Sequence, residues 1–300
     1  MMFIDRAAIL LGTAALSACS AAADTSASRT ATLWTPAAIA SDGYESSPTF
    51  TSDGRTMIYL AADKDFGTYR LMRSRCETGT WGPPAPPSFA MPLPVIEADA
   101  FITPDGKRLY YISTRHAPET DDFDIWYVER TPDGAWGDPQ RLPEPVNSPA
   151  AELLPRTDAA GRLYFGSSRE GSAGGGDIYI ATEIRPGEWT VANVGPPVST
   201  TGHDYEAEIS RDGRTLITVS NRGDRSHLYR YRREGGRWIE VGRIPADPDQ
   251  FQVGPLLSPK GDRLLFAQRH GARSGEMFLI DLVSDPDRSW PPDCRDQAAS

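Results

Sequence analysis

The sequence has no G-x-S-x-G elbow and no H-E-x-x-H pair. The nucleophile turn of a serine hydrolase and the helical ligand pair of a zinc protease are therefore both missing. Its four histidines (His116, His203, His227 and His270) lie far apart, and its three cysteines do not take a zinc spacing. No metal and no cofactor is expected from these residues. Basic charge is scarce, with 31 Lys and Arg against 41 Asp and Glu, a net charge of −10. A chain of that sign lacks the basic face that tracks phosphates, which argues against nucleic acid as a partner. Windows with sustained 3.6-residue periodicity and caps are also missing, so almost no helix is expected.

What is present points to one β-rich body. Turn formers are abundant, with 27 Gly and 26 Pro, and seven Trp and eleven Tyr supply bulk for a core. At the N-terminus, Ala7–Leu16 is apolar but far short of the roughly 20 residues of a spanning helix. A short apolar core near Met1, ended by small residues, reads as a secretory signal. Leu16-Ser17-Ala18-Cys19 follows, and it resembles the bacterial lipoprotein signal, in which the cysteine is acylated. The n-region departs from that pattern because Asp5 cancels Arg6. Residues 1–18 are thus expected to be a signal peptide, Cys19 the lipidation site, and 19–31 a small, polar, flexible tether. The resemblance implies the periplasmic face of the envelope, with Ser20 favouring the outer membrane.

From there to the C-terminus one motif recurs five times. Its copies are ESSPTFTSDGRTMIYLAADK from Glu45, EADAFITPDGKRLYYISTR from Glu97, ELLPRTDAAGRLYFGSSR from Glu152, DYEAEISRDGRTLITVSNR from Asp204 and QVGPLLSPKGDRLLFAQR from Gln252. The turn residues Asp53, Asp105, Ala160, Asp212 and Lys260 each precede a Gly, at spacings of 52, 55, 52 and 48. Self-similarity at this period points to a propeller or solenoid. Each copy divides into four strands. One leads into the Asp-Gly hairpin turn and one leaves it, such as Arg108–Ser113. A third follows a polar loop, such as Asp124–Glu129, and a fourth opens with Trp81, Trp136, Trp189 or Trp238. Four short antiparallel strands per unit make a propeller blade.

These residues resemble the TolB-type, WD40-like propeller repeat of bacterial envelope proteins. The second and third copies carry the likeness best, with Glu97, Thr103-Pro104-Asp105-Gly106, Arg115 and Asp124-Ile125-Trp126, then Glu152, Arg169 and Gly175-x-Asp177-Ile178-Tyr179. The expected fold is an all-β, five-bladed propeller of four-stranded antiparallel blades over residues 32–294. The blades lie near 45–96, 97–151, 152–203, 204–251 and 252–292, and 295–300 form a tail. An N-terminal strand near Leu33–Ile39 is expected to complete the last blade, with Ser289–Pro292 as the alternative. Closure matters because it removes exposed sheet edges. With Cys19 acylated, Cys76 and Cys294 remain as a pair able to bond across the seam between first and last blades.

In such a blade, the residue opening the first strand and the residue ending the second share one face. That face collects Glu45, Glu97, Glu152 and Asp204, with Gln252 in the fifth slot. Beside them fall Lys64, Arg115, Arg169, Arg222 and Arg269, and Asp124 and Asp177 open third strands there. Two readings follow. The charged mouth binds a protein, peptide, glycan or cation, or each acid pairs with a neighbour and braces its own blade. Recurrence in every blade favours the brace, because sites break symmetry while scaffolds repeat it. The loop Glu170–Gly176 is expected to be flexible enough to admit a ligand, and His116–Asp122 is acidic but lacks a calcium-loop register. The functional expectation is a lipid-anchored, non-catalytic binding module, monomeric or part of an envelope complex. The alternative is a five-bladed glycan hydrolase, which needs two nonequivalent channel carboxylates.

Overall fold

The computed structural model describes residues 30–223 and 225–295. The expected signal peptide, Cys19 and most of the tether lie outside the described residues, as does nearly all of the tail. Within them there are twenty strands and no α-helix.

A short strand β1 (Thr32–Leu33) comes first. Groups of strands follow in chain order, each group antiparallel. The first is β2 (Tyr44–Phe50), β3 (Thr56–Ala62), β4 (Tyr69–Glu77) and β5 (Thr80–Trp81). The second is β6 (Glu97–Ile102), β7 (Arg108–Ser113), β8 (Asp124–Glu129) and β9 (Gln140–Arg141). The third is β10 (Glu152–Thr157), β11 (Leu163–Ser167), β12 (Asp177–Arg185) and β13 (Glu188–Asn193). The fourth is β14 (Asp204–Ile209), β15 (Thr215–Ser220), β16 (His227–Glu234) and β17 (Arg237–Arg243). The last has three, β18 (Val253–Leu257), β19 (Arg263–His270) and β20 (Arg273–Asp281).

Groups two, three and four are separate four-stranded sheets. The last group takes its outer strand from the N-terminus. β1 pairs antiparallel with β20, Thr32 opposite Leu279 and Leu33 opposite Phe278. The Ser289–Pro292 segment forms no strand. Instead Trp290 is buried with Phe101, Leu256, Leu265 and Leu279. The Trp signal also misplaces one outer strand. Trp136 makes only an isolated bridge to Arg130, and the paired strand β9 begins four residues later at Gln140.

The first and last groups join into one eight-stranded sheet through a single parallel bridge, Tyr44 to Gly275. The glycine is required there, because a Cβ at position 275 would lie 2.0 Å from the Tyr44 ring. Cys76 of β4 and Cys294 form a disulfide with Cα atoms 5.4 Å apart, within ordinary disulfide reach.

Each Asp-Gly turn is held by its own side chains. Asp105 Oδ1 accepts from Thr103 Oγ1 at 2.7 Å and from the Lys107 amide at 3.1 Å. Second strands such as β7 are buried on both faces, because the core lies between sheets rather than on one side of each. Ile58 and Leu71 of the first sheet pack on Ala100, Ile102, Leu109 and Tyr111 of the second. The first strands touch in a closed order, β2 to β6, β10, β14, β18 and back to β2. Every one of them carries a register shift near its third residue, between Ser46 and Thr49 in β2 and between Leu153 and Arg156 in β10, for example. Ser47, Asp99 and Leu154 sit there at φ of 47°, 57° and 45°, a region non-glycine residues seldom adopt.

Candidate functional site

The opening acids do share one sheet edge with the ends of the second strands and the starts of the third. Glu97 faces Ser113, which faces Asp124, and Glu152, Ser167 and Asp177 repeat the row. All of them are buried, and each acid is engaged by its own surroundings. Glu97 accepts from Arg115 Nε at 2.7 Å, the Met91 amide at 3.0 Å and Ser113 Oγ at 3.3 Å. Glu152 accepts from Ser148 Oγ at 2.6 Å, Ser167 Oγ at 2.9 Å and Arg169 Nη2 at 2.9 Å. Asp204 accepts from the Thr200 amide and hydroxyl at 2.6 and 2.8 Å, and Glu45 from the Ser41 hydroxyl. Burial pushes the Glu97, Glu152 and Glu45 carboxyls up, and the adjacent donors pull them back. In three sheets the donor stands four residues before the acid, so the carboxylate staples the incoming loop to the strand it opens.

The cations part company. Arg115 and Arg169 bind their acids, but Arg222 does not reach Asp204. It lies 3.9 Å above the Tyr229 ring and pairs with Glu240 of β17 at 2.9 Å. Thr200 already occupies Asp204, and the aromatic ring draws the guanidinium outward. Lys64 pairs only loosely with Asp65, at 4.0 Å, and Arg269 is exposed. Gln252 accepts at Oε1 from His227 Nδ1 at 2.7 Å. Asp124 is held by Arg141 Nε at 2.5 Å and His116 Nδ1 at 2.7 Å, and Asp177 by the Ala173 amide and Asn193. The glycine-rich loop is pinned, contrary to expectation. The Gly175 amide donates to the Gly202 carbonyl at 2.9 Å, and a Cβ on Gly174 would sit 1.8 Å from that oxygen. Close packing on the next sheet, and not entry of a ligand, accounts for those glycines.

The channel between the first strands carries a cluster that the repeat reading passed over. The second and fourth residues after each opening residue point there. The second position holds Ser47, Asp99, Leu154, Glu206 and Gly254, and the fourth holds Thr49, Phe101, Arg156, Glu208 and Leu256. Side chains reach across from sheet to sheet. Asp99 accepts from Ser47 Oγ at 2.9 Å, Glu206 from the Gly254 amide at 2.7 Å, and Glu208 from the Leu257 amide at 3.0 Å. Arg156 is fully buried, donates from Nε to Glu208 at 2.8 Å and lies 5.2 Å from the Phe101 ring centre. Burial, with Asp99 beside it, pushes Glu206 up to about 8. Burial pushes Glu208 up to about 7 against the opposing pull of Arg156, and raises Asp99 as well. The available signal was variation between repeats at positions two and four, where the scaffold motif gives way to charge.

Each end of the channel has a different cover. On the Asp-Gly-turn side is a cavity of about 140 Å³ whose lining includes Glu208, Phe101, Phe50 and Trp290. On the opposing side Tyr44 is buried beside Glu206 and Asp99, and Phe66 and Phe251 flank it, with ring centres at 4.4 and 6.2 Å. The row continues from Phe66 to Tyr69 and then Phe123, at 6.0 Å each. Phe66 is 40% and Phe251 37% exposed. Phe66 stands at φ 55° on a loop bound by Asp63, which accepts from the amides of Asp65, Gly67 and Thr68 at 3.0, 2.9 and 2.7 Å.

No protein-family model and no curated protein matches the chain by sequence. Among solved structures it is similar to TolB from Acinetobacter baumannii, at 16% identity and a TM-score of 0.50. That match covers 81% of this chain and 56% of the other, so the chain spans little more than half of that protein's length. It is also similar to a family 117 glycoside hydrolase of the marine bacterium Zobellia galactanivorans, at 15% identity and a TM-score of 0.53, over 87% of this chain and 93% of that one. Likeness at such identity speaks of fold alone. Antiparallel four-stranded sheets, first strands that touch in a closed order, and these likenesses together identify the fold as a TolB-like β-propeller.

Proposed function

We propose that the chain is a five-bladed, non-catalytic binding module that engages an envelope protein, peptide or glycan at the channel face where its first strands open. The order of first-strand contacts and the completion of the last group by β1 support a count of five blades. The sequence Leu16-Ser17-Ala18-Cys19 supports a lipid anchor on the periplasmic face of the envelope, and Ser20 after the cysteine supports the outer membrane. The repeated acids Glu45, Glu97, Glu152 and Asp204, with Arg115, Arg169, Asp124 and Asp177, then brace that face instead of touching the ligand, and Arg222 braces β17. One observation carries the reading. Two phenylalanines remain exposed over the channel mouth, one of them at a backbone angle that costs energy and is held by a capped loop.

The test is capture from solubilised envelope with the full chain, the double variant Phe66→Ala/Phe251→Ala, and Lys107→Glu on the opposite face. The expected partner is retained by wild type and Lys107→Glu and lost by the double variant. Equal retention by all three places the contact elsewhere and overturns the assignment of the face.

Glu206 and Glu208 favour the hydrolase as a second reading, because they are channel carboxylates two residues apart on one strand, Glu206 matched in the other blades only by Asp99 and Glu208 by no acid, and both are raised. Against it, both accept backbone amides from β18 and lie at most 9% exposed. Hydrolysis of a glycan panel that disappears in both Glu206→Gln and Glu208→Gln would support that reading, and its absence from wild type would retire it.

A further inference from the structure

We infer that the aromatic row over the channel mouth is a recognition site for a basic peptide segment, in which a Lys or Arg side chain lies across Phe66 and Phe251. The inference rests on the binding-module reading and names the chemistry of its ligand.

Three observations carry it. The first is geometry. Phe66 and Phe251 come from loops far apart in sequence and flank one buried tyrosine, with the Phe251 and Tyr44 planes within 2° of parallel. Exposed ring faces attract a cation through the quadrupole, and a long aliphatic stem covers the apolar edge. The second is charge. Asp65 precedes Phe66 in its loop, Asp247 and Asp249 precede Phe251, and all three are exposed. Asp121 is exposed and close enough to Tyr69 to raise its hydroxyl. The cations nearest the row are Lys64, which faces Asp65, Arg70, which follows Tyr69, and Arg225, which donates to the Asp249 carbonyl, while Arg115, Arg169 and Arg273 on the same face are each paired with a glutamate. The rim is acidic on balance, which opposes a carboxylate-rich or phosphate-rich ligand and steers a basic one. The third is order in advance. Asp63 ties down the Phe66 loop through three amides and the Thr68 hydroxyl, so the ring is held in place before a ligand arrives.

The test is fluorescence anisotropy with the full chain and a rhodamine-labelled nonapeptide bearing lysine at every third position in a Gly-Ser background. A matched peptide with Glu in place of Lys and the neutral glycan cellohexaose serve as comparisons. The lysine peptide is expected to bind, more weakly as salt rises from low to physiological. Phe66→Ala/Phe251→Ala is expected to weaken it about tenfold. Asp65→Asn/Asp121→Asn is expected to weaken it and to flatten the salt dependence, with near-UV circular dichroism unchanged in both variants. No binding of the lysine peptide, binding indifferent to the phenylalanines, or equal binding of the glutamate peptide or cellohexaose would overturn the inference. If the lysine peptide fails while envelope capture still depends on Phe66 and Phe251, the basic ligand falls and the binding module stands. If both fail, the binding module falls too.

Discussion

At the scale of single residues, position within the repeat decides what a charge does. Glu152 repeats in kind across the sheets, and it is surrounded by Ser148, Ser167 and Arg169, which hold it as a brace. Glu206 sits two residues into its strand, where the other sheets place Ser47, Asp99, Leu154 and Gly254, and it is pushed up to about 8. A carboxyl raised in the fold holds its proton while the unfolded chain has already released it. Its stabilising contribution is therefore whole below about 4.5 and is lost as pH rises toward about 8. Glu206→Gln keeps an oxygen for the Gly254 amide and removes the proton. Urea unfolding from acid to mild alkali is expected to show wild type losing up to about 1.4 kcal/mol per pH unit relative to this variant within that window. Parallel curves would place Glu206 outside the low-dielectric channel. The opening acids were legible as a row on one edge, because strand alternation and hairpin register fix that much. Their burial was not, since it depends on donors such as Ser148 and Thr200 in loops whose path a repeat pattern does not specify. Nor was the departure of Arg222 to Glu240, which a ring on β16 decides.

At the scale of elements, the four-strand unit was readable from its turns, and the Asp-Gly hairpins stand where the pattern puts them. The outer strands were less readable. Trp189 and Trp238 lie in strands β13 and β17, whereas Trp136 precedes its strand, because an edge strand is held on one side only and its bounds follow the loop beside it. The register shift in every first strand left no mark in composition. It displaces side chains by one position and so hid the channel cluster from an alternating pattern. The seam between first and last groups rests on the close approach of Gly275 to Tyr44. Gly275→Ala is expected to force the ring aside at a cost of about 1–3 kcal/mol, the range for overpacking. That corresponds to a fall in Tm of roughly 2–12 °C for a chain of this size. An unchanged Tm by calorimetry would show that the seam does not need this contact.

At the scale of the whole molecule, a closed order of sheets has to be locked where its ends meet. β1 supplies the last group with its outer strand, and Cys76–Cys294 ties the C-terminal segment to the first group across 218 residues of sequence. Cross-linking residues so far apart restricts the unfolded chain, and its loss typically costs 2–4 kcal/mol. Cys294→Ser is expected to lower Tm, and dithiothreitol is expected to lower wild type to the same value while leaving the variant where it is. A wild type indifferent to reductant would remove the disulfide from the stability of the seam. The pairing was open to inference from two cysteines at opposite ends of a ring, whereas the covering of the channel by Trp290 was not, since its segment forms no strand.

The division between braced acids and an aromatic mouth is also what charge-reversing the acids cannot test. Glu97→Lys or Glu152→Lys would break buried networks and unfold the face along with any site on it. The direct measurement is photo-crosslinking in the intact envelope, with benzoylphenylalanine in place of Phe66 or in place of Lys107 on the opposite face. The account predicts a discrete adduct from position 66 and none from position 107. An adduct from position 107 alone, or the same adduct from both, would contradict it.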